Sequence, residues 1–379
     1  EIKMTRPGMI IGVCGCMAQR TGDSIRKGRP YIDIVVGTGS VSRVPDLIRQ
    51  VVESRRGASA LDLPEARTDE LALPERVERV GEALKSFVPV MYGCDNYCSY
   101  CVVPYVRGRE RSRPVADIVA EVRELAQHGR REITLLGQNV NSYGATLAEQ
   151  TDFADLLQAV ANVPEIERIR FTTSHPKDIS YKLITAMRDI PQVCEHIHLA
   201  VQSGDDEVLR RMNRKYTSAH FRERVAALRS AVPDIAITTD FLVGFPCETE
   251  EQFASTMRLA EDVRFDAAFM FAYNTIPNTA AEKLKGQLSK TAKNERLGRL
   301  IALQNRITCE INDSQVGRVF EVLVEGKSPR DSRRLTGLTR QGKTMNFPGD
   351  QSLIGPWVQV RATEGHLYGF VGELAERTA

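Results

Sequence analysis

Short apolar runs alternate with amphipathic stretches through the middle of this sequence. The runs are Phe87 to Tyr92, Glu132 to Leu136, Arg168 to Thr173, His196 to Val201, Ile235 to Val243 and Ala267 to Tyr273. Between them, Val115 to His128, Tyr181 to Asp189, Ala219 to Ala231 and Glu250 to Val263 carry apolar positions at helical spacing. Short runs separated by amphipathic helices predict parallel strands joined by crossovers, an α/β fold from Phe87 to about Leu288. Residues 1 to about 55 read as a further α/β piece, with strands in Met9 to Cys14 and Ile32 to Val36 and a helix over Val44 to Val52. Arg55 to Val80 is rich in charge and holds two Leu-Pro pairs, so residues 56–84 read as a linker. Lys290 to Ile311 predicts a long helix with Leu297, Leu300, Ile301, Ile307 and Ile311 on one face and Gln304 interrupting it. From Val316 to Ala375 the segments become short and alternating, which predicts a small β-barrel.

Composition narrows the class without naming it. A chain of 379 residues that is 42% hydrophobic suits two or three globular domains. No apolar run approaches the roughly 20 residues of a membrane span, and EIKMTRPGMIIG lacks the apolar core of a secretory signal. A cytoplasmic protein without membrane attachment is expected. In such a compartment eight cysteines point to metal chemistry more than to disulfides. A formal charge of +2 is too small to argue for nucleic acid by itself.

The chemistry concentrates in FVPVMYGCDNYCSYCVVPYVRGRERSRP, Phe87 to Pro114, where Cys94, Cys98 and Cys101 stand in a C-x3-C-x2-C spacing. Structural zinc lacks a fourth ligand nearby, since the nearest downstream histidine is His128. A disulfide leaves one thiol over. Three thiolates suit an iron-sulfur cube, covering three irons and leaving the fourth open to a ligand.

This stretch resembles the signature of radical S-adenosylmethionine (SAM) enzymes. VVPYVRGRERSRP after Cys101 and LLGQNVNSYG at Leu135 to Gly144 are similar to the methylthiotransferases within that family. The resemblance implies a partial (β/α)6 barrel over 85–315, the tail of a methylthiotransferase N-terminal domain over 1–55 and a TRAM RNA-binding module, an OB-like barrel, over 316–379. It implies a 4Fe-4S cluster on Cys94, Cys98 and Cys101, with SAM on the open iron. The implied activity is methylthiolation of C2 of N6-isopentenyladenosine beside a tRNA anticodon, driven by a low-potential donor of flavodoxin or ferredoxin type. A monomer is expected. By the same resemblance Gln138, Ser174, Gln202 and Asp240 contact SAM, and Arg214 faces its carboxylate, although Arg210, Arg211, Arg214 and Lys215 also read as a solvated charge run. His175 reads equally as a donor to substrate and as a packed loop residue.

The family's N-terminal domain holds a second cluster on three cysteines, and GCMAQ (Gly15 to Gln19) matches the third, making Cys16 its remaining ligand candidate. The first two have no counterpart, so a fragment lacking the front of that domain is expected. Cys14 reads as a small buried strand residue, Cys194 and Cys309 as buried, and Cys247 stands where the family usually has glycine. Arg107, Arg109, Arg111 and Arg113 beside the cysteine loop, with Lys327, Arg330, Arg333, Arg334, Arg340 and Lys343 in the C-terminal barrel, form two basic patches expected to flank one barrel mouth and hold RNA. Two other readings remain: a sister methylthiotransferase acting on threonylcarbamoyladenosine in tRNA or on a ribosomal-protein aspartate, and an RNA-binding protein whose cluster is structural.

Overall fold

The computed structural model describes residues 2–63 and 84–375. At the N-terminus the short helix α1 (Ile2–Thr5) precedes strand β1 (Gly12–Cys14), helix α2 (Cys16–Thr21), β2 (Ile34–Val36), α3 (Val44–Ser54) and β3 (Ala58–Ala60). The strands form a parallel sheet in the order β1-β2-β3. All three residues of the central β2 are buried, which is why its sequence is apolar without alternation. Ile34, Val36, Leu47, Val51, Ala58 and Ala60 share one small core. The sequence assigns Ala58 to Ala60 to the linker; they are instead a third strand, chosen by pairing with Ile34 to Val36. Residues 64–83 of the predicted linker lie outside the described residues.

The second unit opens with β4 (Lys85–Pro89) and β5 (Met91–Tyr92), followed by the cysteine loop, α4 (Val103–Arg107) and β6 (Arg111–Ser112), which pairs back with β5. Crossover helices α5 (Val115–Gln127), α6 (Phe153–Ala161) and α7 (Tyr181–Asp189) separate β7 (Glu132–Leu136), β8 (Arg168–Phe171) and β9 (His196–His198). Then come α8 (Asp206–Arg211), α9 (Ser218–Ala231), β10 (Ala236–Val243), α10 (Glu250–Val263) and β11 (Ala267–Ala272). Parallel ladders join β4-β7-β8 and β9-β10-β11. Single parallel bridges, Ile169 with Val193 and Ser174 with Leu199, stitch the two halves together. The result is a partial (β/α)6 barrel. Four of its helices start on side-chain caps as follows: Asp152 accepts from Asp155 N, Ser180 from Leu183 N, Thr217 from His220 N and Thr249 from Gln252 N.

Strand alternation divides the barrel into two surfaces. In β10, Thr239, Phe241 and Val243 are buried beneath the helices, while Thr238, Asp240 and Leu242 face the interior and keep some exposure. Register places Ala267, Phe269 and Phe271 of β11 on that same inner face.

Helix α11 (Lys290–Ser314) covers the outside of the barrel and leads to the last domain. Leu300 and Ile307 are buried as its spacing predicts, but Ile301 is 36% exposed. Gln304 is buried rather than a break in the face, because its Nε2 donates to Phe265 O at 2.8 Å and to Thr308 Oγ1 at 3.0 Å.

Five antiparallel and parallel strands then close a barrel in the order β12-β13-β14-β16-β15, with β12 (Val319–Lys327), β13 (Arg334–Thr339), β14 (Thr344–Pro348), β15 (Trp357–His366) and β16 (Gly369–Leu374). Phe320, Val322, Phe347, Val360 and Phe370 fill it, Phe320 and Phe370 stacking 5.1 Å apart. This small barrel docks on the end of the larger one where the strands begin. Arg168 donates to Leu338 O and Glu321 O, both at 2.9 Å, and Arg170 donates to Thr339 O at 2.7 Å and Arg340 O at 2.9 Å. Lys343 pairs with Asp266 at 2.9 Å just before β11.

Candidate active site

The cysteine loop leaves β5 through Gly93, whose φ is +73°. A Cβ there would lie 2.1 Å from Arg109 O, so the two limbs of the loop close only over glycine. Asp95 ties them: its carboxylate accepts from Arg109 Nε at 2.8 Å, Arg109 Nη2 at 3.0 Å and Glu110 N at 3.2 Å. On its other side the loop is bonded to the segment after α8. Ser99 N donates to Met212 O at 3.0 Å, Ser99 Oγ to Arg211 O at 2.8 Å, and Asn213 Nδ2 to Tyr97 O at 2.8 Å and Asn96 O at 3.2 Å. Tyr100 packs against Val208, Met212, Phe245, Tyr273 and Ala281.

The loop therefore holds Cys98 buried, with Cys94 and Cys101 partly buried. Cys101 N donates to Cys98 O at 2.9 Å. Burial raises the Cys94 thiol, and it pushes Cys101 up to about 11, with Cys98 and Cys94 adding to the rise. Crowded, desolvated thiols lose their protons only to a strong positive centre, which is what a metal supplies. Among the described residues no three His, Cys, Asp or Glu side chains converge as ligands of one ion. A cube takes one thiolate per iron and does not need them to. The donor set fits a 4Fe-4S cluster better than a mononuclear site.

Four of the predicted SAM contacts lie on or just beyond neighbouring strands. Gln138 follows β7, Ser174 follows β8, Gln202 follows β9, and Asp240 lies on β10. Gln202 N donates to Asp240 O at 2.7 Å and Leu242 N returns to Gln202 O at 2.9 Å. Thr173 and Gln202 take φ values of 67° and 68°, a left-handed backbone that non-glycine residues avoid unless surroundings impose it. Ser174 Oγ and Gln138 Oε1 are buried without a protein partner, and so is His175 Nε2. Three unsatisfied polar atoms just beyond adjacent strands are what a hydrogen-bonding ligand would complete. The inner face adds His198, which the sequence reading missed: its Nε2 lies 3.3 Å from Asp240 Oδ1 and its Nδ1 3.0 Å from Thr238 Oγ1. The alternation in HIHLA, with His196 and His198 two apart, carries that signal.

Residues 88–260 match the Radical SAM superfamily and residues 313–370 the TRAM domain. The tRNA-2-methylthio-N(6)-dimethylallyladenosine synthase of Thermoanaerobacter sp. (strain X514) is 49% identical over 378 residues, spanning 99% of this chain and 79% of that protein. The chain belongs to this synthase family. The synthase of Acetivibrio thermocellus is 46% identical over 375 residues, 98% of this chain and 77% of that protein. The fold is similar to the radical S-adenosylmethionine methyltransferase TsrM from Kitasatospora setae, with tryptophan substrate and a SAM analog bound. That likeness has a TM-score of 0.52 at 16% identity over 72% of this chain and 64% of that one. As a member of the synthase family the chain is a radical SAM methylthiotransferase.

Several predicted site residues lie elsewhere than the family reading places them. Arg111 and Arg113 are 5% and 3% exposed, and Arg113 pairs with Glu121 at 2.8 Å, so neither offers a surface to RNA. Arg340 is tied to Glu195 at 2.7 Å and Lys343 is buried on Asp266 and Asn312. Both charges fasten the TRAM barrel rather than bind phosphate. Of the TRAM patch, Lys327, Arg330 and Arg333 stay exposed, and Arg334 is half-buried near Asp331. Because TRAM sits where the barrel strands begin and the cysteine loop where they end, the two patches do not flank one mouth. Arg107 is half-buried and Arg109 is exposed. Arg214 is 4% exposed, which overturns the solvated-run reading for it. Cys14, expected buried, is exposed at the end of β1; Cys309 is only partly buried, and Cys194 is buried. Cys247 has a φ of 62°, the left-handed conformation in which glycine is at ease.

Proposed function

We propose that this chain transfers a methylthio group to C2 of N6-dimethylallyladenosine beside the anticodon of tRNA. The observation that carries the proposal is the placement of Cys94, Cys98 and Cys101 at the strand-end mouth of a barrel whose inner face is polar on one strand and aromatic on the next. Cys94, Cys98 and Cys101 would hold a 4Fe-4S cluster, which with SAM would supply radical chemistry on reduction, and a second SAM would supply the methyl group. Gln138 and Ser174 satisfy their unpaired side-chain oxygens on SAM, with Gln202 beside them, fixing its orientation beside the thiolates. Asp240, held by His198, presents a carboxylate to a ribose or base edge.

A base inside an RNA hairpin must be extruded to enter such a barrel. Phe269 and Phe271, 62% and 53% exposed on the inner face, give a purine and its isoprenoid tail an apolar surface. Exposed Lys327 and Arg330 on TRAM, with Arg333 beside Asp331, and exposed Arg109 at the mouth beside Asp95, give phosphates cationic partners at two separated points, so the RNA spans the length of the barrel. In this reading Cys16 would be one of the ligands of a second cluster, which would supply the sulfur. Cys16 opens α2, which packs against α4, and Thr38 Oγ1 donates to Val106 O beside it. The N-terminal domain is thereby fixed next to the segment that follows Cys101. The electron comes from a low-potential flavodoxin- or ferredoxin-type donor.

Incubating the full-length enzyme with isopentenylated tRNA, SAM and reductant, followed by nucleoside mass analysis, tests the proposal. The methylthio derivative of dimethylallyladenosine is expected. SAM cleavage with that nucleoside unmodified, and threonylcarbamoyladenosine modified in its place, would reassign the substrate to the sister class.

A further inference from the structure

Arg214 is a permanent cation almost wholly removed from water, and it points at a cluster ligand. Its Nη1 lies 3.5 Å from Cys98 Sγ. Its other two nitrogens are anchored: Nη2 on Ala200 O and Nε on Tyr216 OH at 3.2 Å, with Tyr216 OH in turn donating to Val201 O at 2.6 Å. The backbone on both sides is strained into the left-handed region, φ being 58° at Asn213 and 57° at Lys215. Non-glycine residues stay there only when the surroundings over-determine them. Here Asn213 Nδ2 grips the carbonyls of Asn96 and Tyr97, and Ser99 grips Arg211 and Met212. The turn from Arg211 to Lys215 is bolted along the cysteine loop, and the strain aims one guanidinium at one sulfur.

We infer that Arg214 is a positioning residue that sets the reduction potential of the cluster held by Cys98. A desolvated cation on a ligand sulfur favours the form that carries one more negative charge, and hydrogen bonds to the sulfurs are among the levers that set such potentials. The electron is supplied by the low-potential donor, and Arg214 makes that transfer less uphill. The inference rests on the reading that Cys94, Cys98 and Cys101 hold the cluster; it is independent of which nucleoside is modified.

The test is a potentiometric titration of the anaerobically reconstituted full-length chain, following by electron paramagnetic resonance the signal that changes when SAM is added. Arg214→Gln is expected to keep its iron, to shift the midpoint to more negative potential and to slow SAM cleavage at least tenfold with a weak reductant. A stronger reductant is expected to restore most of that rate, and Arg214→Lys, which keeps the charge, to fall between. An unchanged midpoint in Arg214→Gln overturns the inference. Should that variant lose its iron, Asn213→Gly decides: it permits the left-handed backbone but releases the clamp. A negative shift there supports the inference and an unmoved midpoint ends it. Wild-type protein that takes up no iron would instead refute the cluster assignment beneath it.

Discussion

Arg168 holds its guanidinium 4.0 Å from the centroid of the Trp357 ring, joining the third strand of the large barrel to the TRAM barrel. The same side chain lies 2.8 Å from Glu321 and 3.9 Å from Glu132, whose side chain is 1% exposed. Arg170 reaches Glu132 at 3.1 Å. Removing one member of a buried ionic group leaves the others uncompensated, at a cost of about 3–5 kcal/mol. Arg168→Ala is expected to lose that much stability in urea unfolding and to open the segment between Ser314 and Val319 to trypsin. Unchanged stability and digestion would mean that TRAM docks without it.

Gly93→Ala tests the closure of the cysteine loop. An alanine pays about 1–2 kcal/mol for the left-handed backbone, and its Cβ collides with Arg109 O. Iron bound per chain after reconstitution should fall severalfold while far-ultraviolet circular dichroism of the barrel persists.

His175 predicts a pH dependence. Burial, with Arg214, Lys177 and Lys215 nearby, holds its pKa down to about 2, against an ordinary value of 6.5. Below pH 6.5 the unfolded chain binds a proton that the folded chain refuses. Stability from this residue is therefore complete above 6.5 and is lost as pH falls toward 2. At about 1.4 kcal/mol per unit, pH 5 costs roughly 2 kcal/mol. Urea unfolding at pH 8 and pH 5 should show His175→Gln losing about that much less than wild type.

Phe269 reports on the substrate chamber. Its ring lies 5.9 Å from His198 and shares the inner face with Asp240. Loss of a base-stacking ring is worth about 1–3 kcal/mol. Phe269→Ala should raise KM for tRNA roughly 5- to 100-fold, while SAM cleavage without tRNA stays within about twofold.

Elements whose reason is local were legible in the sequence. Glu132 to Leu136 folds as a strand because its run is apolar, and Tyr181 to Asp189 and Glu250 to Val263 fold over the residues that their periodicity marks, because each helix has its N-cap and its apolar face in hand. Ala58 to Ala60 carries no such signal, since three small residues become a strand only when Ile34 to Val36 offer an edge. The cysteine spacing shows which residues make a metal centre, but not that Asn213 and Arg214, more than a hundred positions away, clamp it. The basic residues divide for the same reason. Arg333 stays exposed and pairs only with its neighbour Asp331, whereas Arg340 and Lys343 spend their charge on Glu195 and Asp266, partners far off in the chain. Charge runs read by count cannot separate the two.

The central claim is that three cysteines in one glycine-closed loop hold a cluster that opens SAM. Reconstituted, reduced enzyme should convert SAM to 5′-deoxyadenosine, and Cys98→Ala, otherwise folded, should abolish that conversion. Equal production of 5′-deoxyadenosine by the two proteins would contradict the account.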